Sequence, residues 1–534
     1  MNCADLVVRR GVIHTVSDRV PRADCMAVCA GRIVAMGDES VVADLIGPHT
    51  RILDVQGYTI LPGLTDSHAH LGGLGNLLAE VNVQGAPSYQ AMIEMIRAQA
   101  ARTRAGEWIN GRGWDENDWP EKLCPRHAAL SAAVPDNPVA VRRVDGHSIL
   151  LNRRAMDLAY ITSGTPNPPG GEIVRDDCGE PTGVLVDNAM HLVSAVIPRL
   201  SAGQREERLL AAMREAARHG LTMVHDAGVG QEQREAYRAL LRRGEFPIRI
   251  HAMASVPGNL AEEILARGPE CGDRFTLRAL AIVADGALGS RGALLSADYT
   301  DQPGHRGFEV FPFDSLECVA RRARTIGLQV RVHAIGDLAN KKTLDAFEKV
   351  FGGLPQPELR WAIEHAHVVR PEDIRRFARL GIVASIQATH ATSAGLWAEC
   401  HLGPERIGWS FAWRHLLDAG VHLANGSDFP VEGVAPLLGL YASITRRDPA
   451  GRLPAEGWRP EECLTPEEAL KSFTLWGARL AFREAELGSL EVGKLADFIV
   501  VDRNVMGGPA SEILKARVLR TVVGGETVYA ASGW

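Results

Sequence analysis

Residues 61–70 read "LPGLTDSHAH", an apolar run broken by Pro-Gly and closed by two histidines one residue apart. In an extended strand alternate side chains share a face, so His68 and His70 point the same way and Ala69 points the other. Two imidazoles on one face can grip one metal ion. The pair alone is weak evidence, because 18 histidines in 534 residues supply about 0.6 such pairs by chance. A second pair, His365 and His367, lies far along the chain. Metal chemistry therefore needs further ligands that the fold brings to the same place.

The elements that would bring them recur through the second half. "ERLLAAMREAARHG" ends at Gly220 and leads through "LTMV" to His225-Asp226. "LECVARRARTIG" ends at Gly327 and leads through "LQVRV" to His333, and "PEDIRRFARLG" ends at Gly381 and leads through "IVASI" to Gln387. "FAWRHLLDAG" ends at Gly420 and leads through "VHLA" to "NGSD", closing at Asp428. Apolar residues at helical spacing, a capping Gly and a β-branched run describe helix, stop, strand. Repetition of that unit implies parallel strands with crossover helices. An α/β fold of the (β/α)8 TIM-like type puts every strand's C-terminal end at one mouth. An open doubly wound sheet is the alternative, but "GGLGN" after His70 is no phosphate-binding fingerprint.

The span from His68 to Asp428 exceeds the roughly 250 residues typical of a barrel, so an insertion is expected, at about 106–190, where turn residues and β-like pieces dominate. Residues 5–60 and 487–530 read as short strands and turns, which most simply fold together as one small β-sandwich built from both chain ends. The expected division is residues 1–62 and 485–534 for the sandwich and 63–484 for the barrel.

Bulk composition narrows the function. Hydrophobic content of 46% and charged content of 23% are those of a soluble globular protein, and a net charge of -7 with pI near 6.2 gives no nucleic-acid surface. No apolar run is long enough to span a bilayer and no secretory leader is recognised, so a cytoplasmic protein with a small-molecule substrate is expected, as a monomer or homo-oligomer. Nine cysteines with no CxxC fit reduced thiols, and Cys25 and Cys29 read as structural.

At the mouth of such a barrel His68, His70, His333, His365 and Asp428 would converge. Four imidazoles and a carboxylate suit zinc or a similar divalent ion, which lowers the pKa of a bound water, and Asp428 is placed to take the proton.

With these residues in place the chain resembles the amidohydrolase superfamily, in particular the branch that includes N-substituted formamide deformylases and many metal-dependent hydrolases. The motifs that carry the likeness are "LPGLTDSHAH", "GRGWDENDW", "DGHSILLN", "GGEIVRDDCGEPTGVL", "DGALGSRGALL", "VHAIGD", "IEHAH", "NGSDFPVE" and "LGSLEVGKLADFIVVD", in that order over nearly the whole length. The resemblance implies that His68 and His70 bind metal from the first strand, that His333 and His365 come from the fifth and sixth, and that Asp428 is the metal-contacting base on the eighth. It implies hydrolysis of a non-peptide C–N bond, as in amides and N-acyl or N-formyl compounds. A single-metal deaminase or cyclic-amide hydrolase is the enzymatic alternative, and a catalytically weakened regulatory or scaffold protein the alternative of another class.

Two departures matter. Relatives commonly carry a lysine four residues before the Asp of "ADG", carboxylated and bridging two metals; Ala281 stands there, so one ion per chain is expected rather than two, with His365 then a catalytic residue that acts on the substrate, helping to hold the oxyanion, or a weak extra ligand. Ala394 stands where close relatives often have Asp, so the segment after Gln387 is expected to line an altered substrate pocket. His147, Asp285, Arg291, Gln387 and His390 are the candidate substrate-binding residues, with loop stabilisation the equal alternative for His147 and, beside a Gly-rich turn, for Asp285 and Arg291; His367 reads as an ordinary polar residue beyond its strand.

Overall fold

The computed structural model describes residues 3–534. Eight strands form the central sheet: β1 Leu64–Ala69, β2 Leu221–Val229, β3 Arg249–Val256, β4 Phe275–Val283, β5 Gln329–Ala334, β6 Ala362–His365, β7 Val383–Gln387 and β8 Leu423–Gly426. They pair in sequence order and all pairs are parallel. The four capping glycines that punctuate the sequence, Gly220, Gly327, Gly381 and Gly420, all have φ between 69° and 90°, the left-handed turn that stops a helix before the next strand.

The barrel closes where β8 meets β1. Ser427 donates its backbone N–H to the Asp66 carboxylate at 3.1 Å and its hydroxyl at 2.6 Å, and Asp428 donates its N–H to the His68 carbonyl at 2.8 Å. Glycine is required at 426, because a Cβ there would lie 2.5 Å from Asp66 Oδ1 and 2.7 Å from the His68 nitrogen. Every residue of β1 is buried, and the core is dominated by Leu, Ile, Val and Ala from the strands and the helices outside them.

The ends of the chain make two sheets that face each other. One, of Leu6–Arg9, Cys25–Cys29, Arg32–Gly37 and Arg51–Asp54, is wholly N-terminal. The other combines Val12–His14, Arg22–Ala23 and Thr59–Pro62 with Phe498–Val501, Val518–Val523 and Glu526–Ala530, and its seam is the antiparallel pairing of Ile60 with Val500 and Pro62 with Phe498. Val8, Met26, Ile60, Phe498, Val500 and Val522 share the core between them. This is the β-sandwich built from both termini.

A further six-stranded sheet is inserted after β1, with strands Val81–Asn82, Ile109–Trp114, Val139–Arg143, Ser148–Leu151, Gly171–Arg175 and Pro181–Asp187. It begins earlier than the expected start near 106, because Val81–Asn82 pairs in parallel with Gly111 and Arg112 across an intervening helix, Tyr89–Ala100. A two-residue strand has too little pattern to be seen in sequence. Arg143, fully buried, ties the insert together by ion pairs to Asp115, Glu116 and Asp145.

Candidate metal centre

The C-terminal ends of the barrel strands surround a cavity of about 460 Å³ that the insert partly roofs. His68, His70, His333, His365, His390 and Asp428 all line it, as do His147, Ala281 and Ala394. The ligand atoms of His68, His70 and Asp428 lie within 4.8 Å of one another, as do those of His365, His367 and His390. His333 stands beside His365, with ring centroids 4.5 Å apart, but outside the first group.

Each of three histidines is oriented from behind through Nδ1. That atom of His68 lies 2.7 Å from Glu364 Oε2, that of His70 lies 3.0 Å from the Ala227 carbonyl, and that of His365 lies 2.7 Å from Gln387 Oε1. Gln387 is itself oriented, because its Nε2 donates to the Ser385 carbonyl at 3.3 Å and so turns the oxygen toward the imidazole. An oxygen acceptor at Nδ1 selects the Nδ1–H tautomer and leaves Nε2 as a bare lone pair. Those lone pairs face acceptors. His70 Nε2 is 3.1 Å and His68 Nε2 3.6 Å from Asp428 Oδ1, which makes no hydrogen bond although it is buried. Lone pairs crowded on a buried carboxylate oxygen require a proton or a cation between them, so the donor set fits a divalent ion.

The backbone is strained at the same place. His365, Ala366 and Asp428 have φ of 72°, 45° and 60°, a left-handed region that non-glycine residues enter only when their surroundings compel it. The turn at His365 also breaks the strand alternation, so that Glu364 and His365, neighbours in sequence, both line the cavity.

Burial lowers His68, but Glu364 and Asp428 outweigh it and hold the imidazole above its ordinary value, toward the proton that a cation would displace; Asp428, His333 and His365 keep their metal-binding forms. Burial alone would raise Asp428, but contact with His70 and the charge of His68 hold it well below the usual carboxylate range. Burial pushes His333 and His365 well below the ordinary imidazole value, so both are neutral donors. Glu364 resists burial through Arg331 and His68 and is held down at about 2.

The other expected site residues divide. His147 donates from Nδ1 to Asp187 at 2.6 Å, and burial, which lowers it, is outweighed by that carboxylate, so it sits at about 9 and carries a proton into the cavity wall. Asp285 does not line the cavity; its carboxylate accepts the backbone N–H groups of Leu294, Ile335 and Gly336 at 2.8–3.0 Å and holds the loops beside His333. Arg291 is turned away onto Asp301 at 2.7 Å, which also receives His401. Both belong to loop architecture, as a Gly-rich turn allows. Gln387 acts through His365. His367 corrects the sequence reading: it is 6% exposed and its Nε2 lies 3.2 Å from His390 Nδ1, so it belongs to the cavity wall.

Sequence reasoning missed Glu364 and Arg331. Glu364 joins His68 to the Arg331 guanidinium, which is 0% exposed and also donates to the Ser67 carbonyl at 2.8 Å. The available signal was a charged residue inside each of two strand runs, Arg331 in "QVRVHA" and Glu364 in "AIEH".

A TIM-like barrel whose mouth carries this cluster defines a metal-dependent hydrolase. Residues 51–529 match the amidohydrolase family, and the chain belongs to that family. The chain is 34% identical to Protein Long After Far-Red 3 of Arabidopsis thaliana over 98% of this chain and 92% of that one. It is 28% identical to N-substituted formamide deformylase of Arthrobacter pascens, with 99% of each chain covered. Among solved structures, a metal-dependent hydrolase from Pyrococcus horikoshii superposes with a TM-score of 0.77 at 26% identity, covering 95% of this chain and 99% of that one. Among the described residues no helix is long and apolar enough to cross a membrane.

Proposed function

We propose that the protein hydrolyses a non-peptide C–N bond, of an amide or an N-acyl or N-formyl amine, with Asp428 as general base. The observation that carries this is the group of His68, His70 and Asp428, three lone-pair donors turned to one point in a cavity of small-molecule size. The formamide deformylase relative supports the choice of bond. A divalent ion, zinc by the preference for imidazole and carboxylate ligands, would be held by these residues and would supply Lewis acidity and an acidic water.

The residues do the rest. Asp428, ionised and buried, accepts the proton of the attacking water and delivers it to the leaving nitrogen. His365, fixed by Gln387, offers Nε2 as a further ligand and cannot donate a hydrogen bond to the oxyanion from that atom. His147, protonated beside Asp187, faces the same cavity and can donate to the substrate's carbonyl oxygen as charge develops there. One tightly held ion per chain is favoured, since Ala281 contributes no side-chain ligand and His367 and His390 bond to each other.

The test is turnover on N-formyl, N-acetyl and carbamate compounds by the zinc-loaded enzyme, followed as released amine. Hydrolysis abolished by chelation and restored by metal is expected; metal-loaded protein inert on every C–N substrate but active on esters would overturn the choice of bond.

A further inference from the structure

Behind His70 a second chamber, of about 530 Å³, opens between the helices Leu71–Ala79 and Ala202–Arg218 and the inserted sheet. It shares His70, Asp145, His147, Ala227 and Gly228 with the metal cavity, so the two are continuous. Four arginines line it: Arg112, Arg142, Arg205 and Arg208. Two are neutralised, Arg205 by Glu232 and Arg208 by Glu80 at 2.8 Å.

The other two are not. Arg112 and Arg142 sit directly opposite each other on parallel strands, so their side chains leave the same face of the insert. Arg112 donates to the Val144 carbonyl at 2.8 Å, and its buried Nε has no partner. Among the described residues no carboxylate lies within ion-pair distance of either guanidinium, and Arg142 makes no side-chain hydrogen bond. The acids in the chamber wall are already engaged: Asp145 by Arg143, Glu80 by Arg208, and Asp226 by Tyr237, Gln233 and the Leu71 N–H. Burial lowers both arginines, Arg112 to about 10, and the more distant carboxylates offset this only in part.

Arginine does not escape such a position by losing its proton, and two guanidiniums side by side repel. An oxyanion with two or three acceptor oxygens removes both costs, and the planar fork of arginine matches it. The chamber shares His70, a member of the metal-ligand group, and His147 with the metal cavity, so an anion held here lies within a small molecule's length of the hydrolytic centre.

We propose that Arg112 and Arg142 form an anion subsite that takes a carboxylate of the substrate, on the part of the molecule remote from the scissile bond. Acidic N-acyl compounds such as N-acyl amino acids are then the preferred class, an assignment that rests on the amide-hydrolase reading above. A free inorganic anion is the other source of the same chemistry.

The experiment uses the zinc-loaded full chain and the variants Arg142→Gln and Arg112→Gln, each first checked for an unchanged circular dichroism spectrum and melting profile. Binding of succinate and of inorganic phosphate is measured by calorimetry, which needs no turnover. Hydrolysis of an N-formyl amino acid is compared with that of its neutral carboxamide. Succinate binding weakened about tenfold or more in each variant, with KM for the acid rising at least tenfold more than KM for the carboxamide, is the expected result. Arginine-dependent phosphate binding without discrimination between acid and carboxamide would replace the substrate subsite by a free-anion site and overturn the proposal. Equal effects on both substrates, or no arginine-dependent binding, would also overturn it. Arginine-dependent succinate binding in a protein that hydrolyses no amide would refute the hydrolase reading and leave the anion site standing. Should a Gln variant fail to fold, Arg142→Lys, which keeps the charge and loses the fork, is expected to retain intermediate affinity.

Discussion

Asp428 donates its backbone N–H to the carbonyl of His68 at 2.8 Å while its side chain lies 3.6 Å from His68 Nε2. The hydrogen bond that closes the barrel therefore also sets the distance between base and ligand. Asp428→Asn keeps the size and the backbone contact but cannot accept the water's proton. Turnover should fall by about 10²-fold or more with the melting temperature little changed. An Asn variant of full activity would remove Asp428 from the mechanism.

Gly426 tests the same closure from the side of packing. A Cβ would strike Asp66 Oδ1 and the His68 nitrogen, atoms that cannot move without opening the seam between β1 and β8. Gly426→Ala should destabilise by about 1–3 kcal/mol, the usual cost of overpacking, and lower metal content as well. Denaturant midpoints together with zinc stoichiometry read both effects, and an unaltered metal content would separate the seam from the site.

How much of this arrangement is legible in sequence depends on whether it is local. His68 and His70 are readable because strand alternation places both on one face, and Gly220, Gly327, Gly381 and Gly420 are readable because a capping glycine is a one-residue signal. Glu364 and Arg331 are not, since their meaning lies in a contact between two strands and with His68, 296 positions from Glu364. His367 hides for another reason: only the left-handed backbone at His365 and Ala366 shows that the chain turns back into the cavity. Sequence leaves Arg291 open between substrate contact and loop support, because nothing in the Gly-rich turn announces Asp301 as its partner.

The buried Glu364 should prove costly to remove. Glu364→Ala leaves the Arg331 guanidinium without its carboxylate and His68 without its orienting acceptor. A loss of about 3–5 kcal/mol is expected from breaking a buried pair, and about 10–100-fold weaker metal binding from the lost support. Chemical denaturation of the apo and zinc-loaded forms measures the two separately. A variant as stable as the parent would mean that water replaces the carboxylate.

The His147–Asp187 pair predicts a pH dependence with a definite sign. His147 is raised in the folded protein to about 9, against about 6.5 for a free imidazole, so folding favours its charged form. The stabilisation is fully present below pH 6.5 and is lost as pH rises through about 9. The difference in stability between the parent and Asp187→Asn should therefore be largest near pH 6 and shrink toward pH 10. A difference independent of pH across that window would show that the pair acts without His147 being charged.

The shared sandwich makes the C-terminal segment indispensable. A chain ending near residue 486 would uncover Ile60 and its neighbours and would strip Asp497 from Arg249, which is 2% exposed and donates to that carboxylate at 2.8 Å and 3.0 Å. Arg249 would keep only Asp273, at 2.6 Å, and the exposed strand edges favour aggregation. The truncated chain should be insoluble or molten, judged by size-exclusion chromatography and thermal melting. A monodisperse product with the parent's melting temperature would mean that the N-terminal strands complete their own core.

The number of ions is the sharpest test of the site. Two dications a few ångströms apart repel strongly, and an anion between them is what makes the arrangement tolerable. Ala281 lines the cavity and offers no such group. Asp285, four residues on, is committed to three backbone N–H donors, and burial raises it to about 7, so it is a poor substitute. His68, His70 and Asp428 are therefore expected to hold one ion tightly, with His365 and His390, whose unpartnered Nε2 lies 3.7 Å from Asp428 Oδ2, as further donors. His365, His367 and His390 form a second group of lone pairs, but without a carboxylate, and two of its members already bond to each other. Purified protein dialysed against metal-free buffer should retain one equivalent of zinc by elemental analysis, and anomalous scattering should place it between His68, His70 and Asp428. Two fully occupied positions after the same dialysis would overturn the single-ion site and require the three-histidine group to bind as tightly as the one that holds the base.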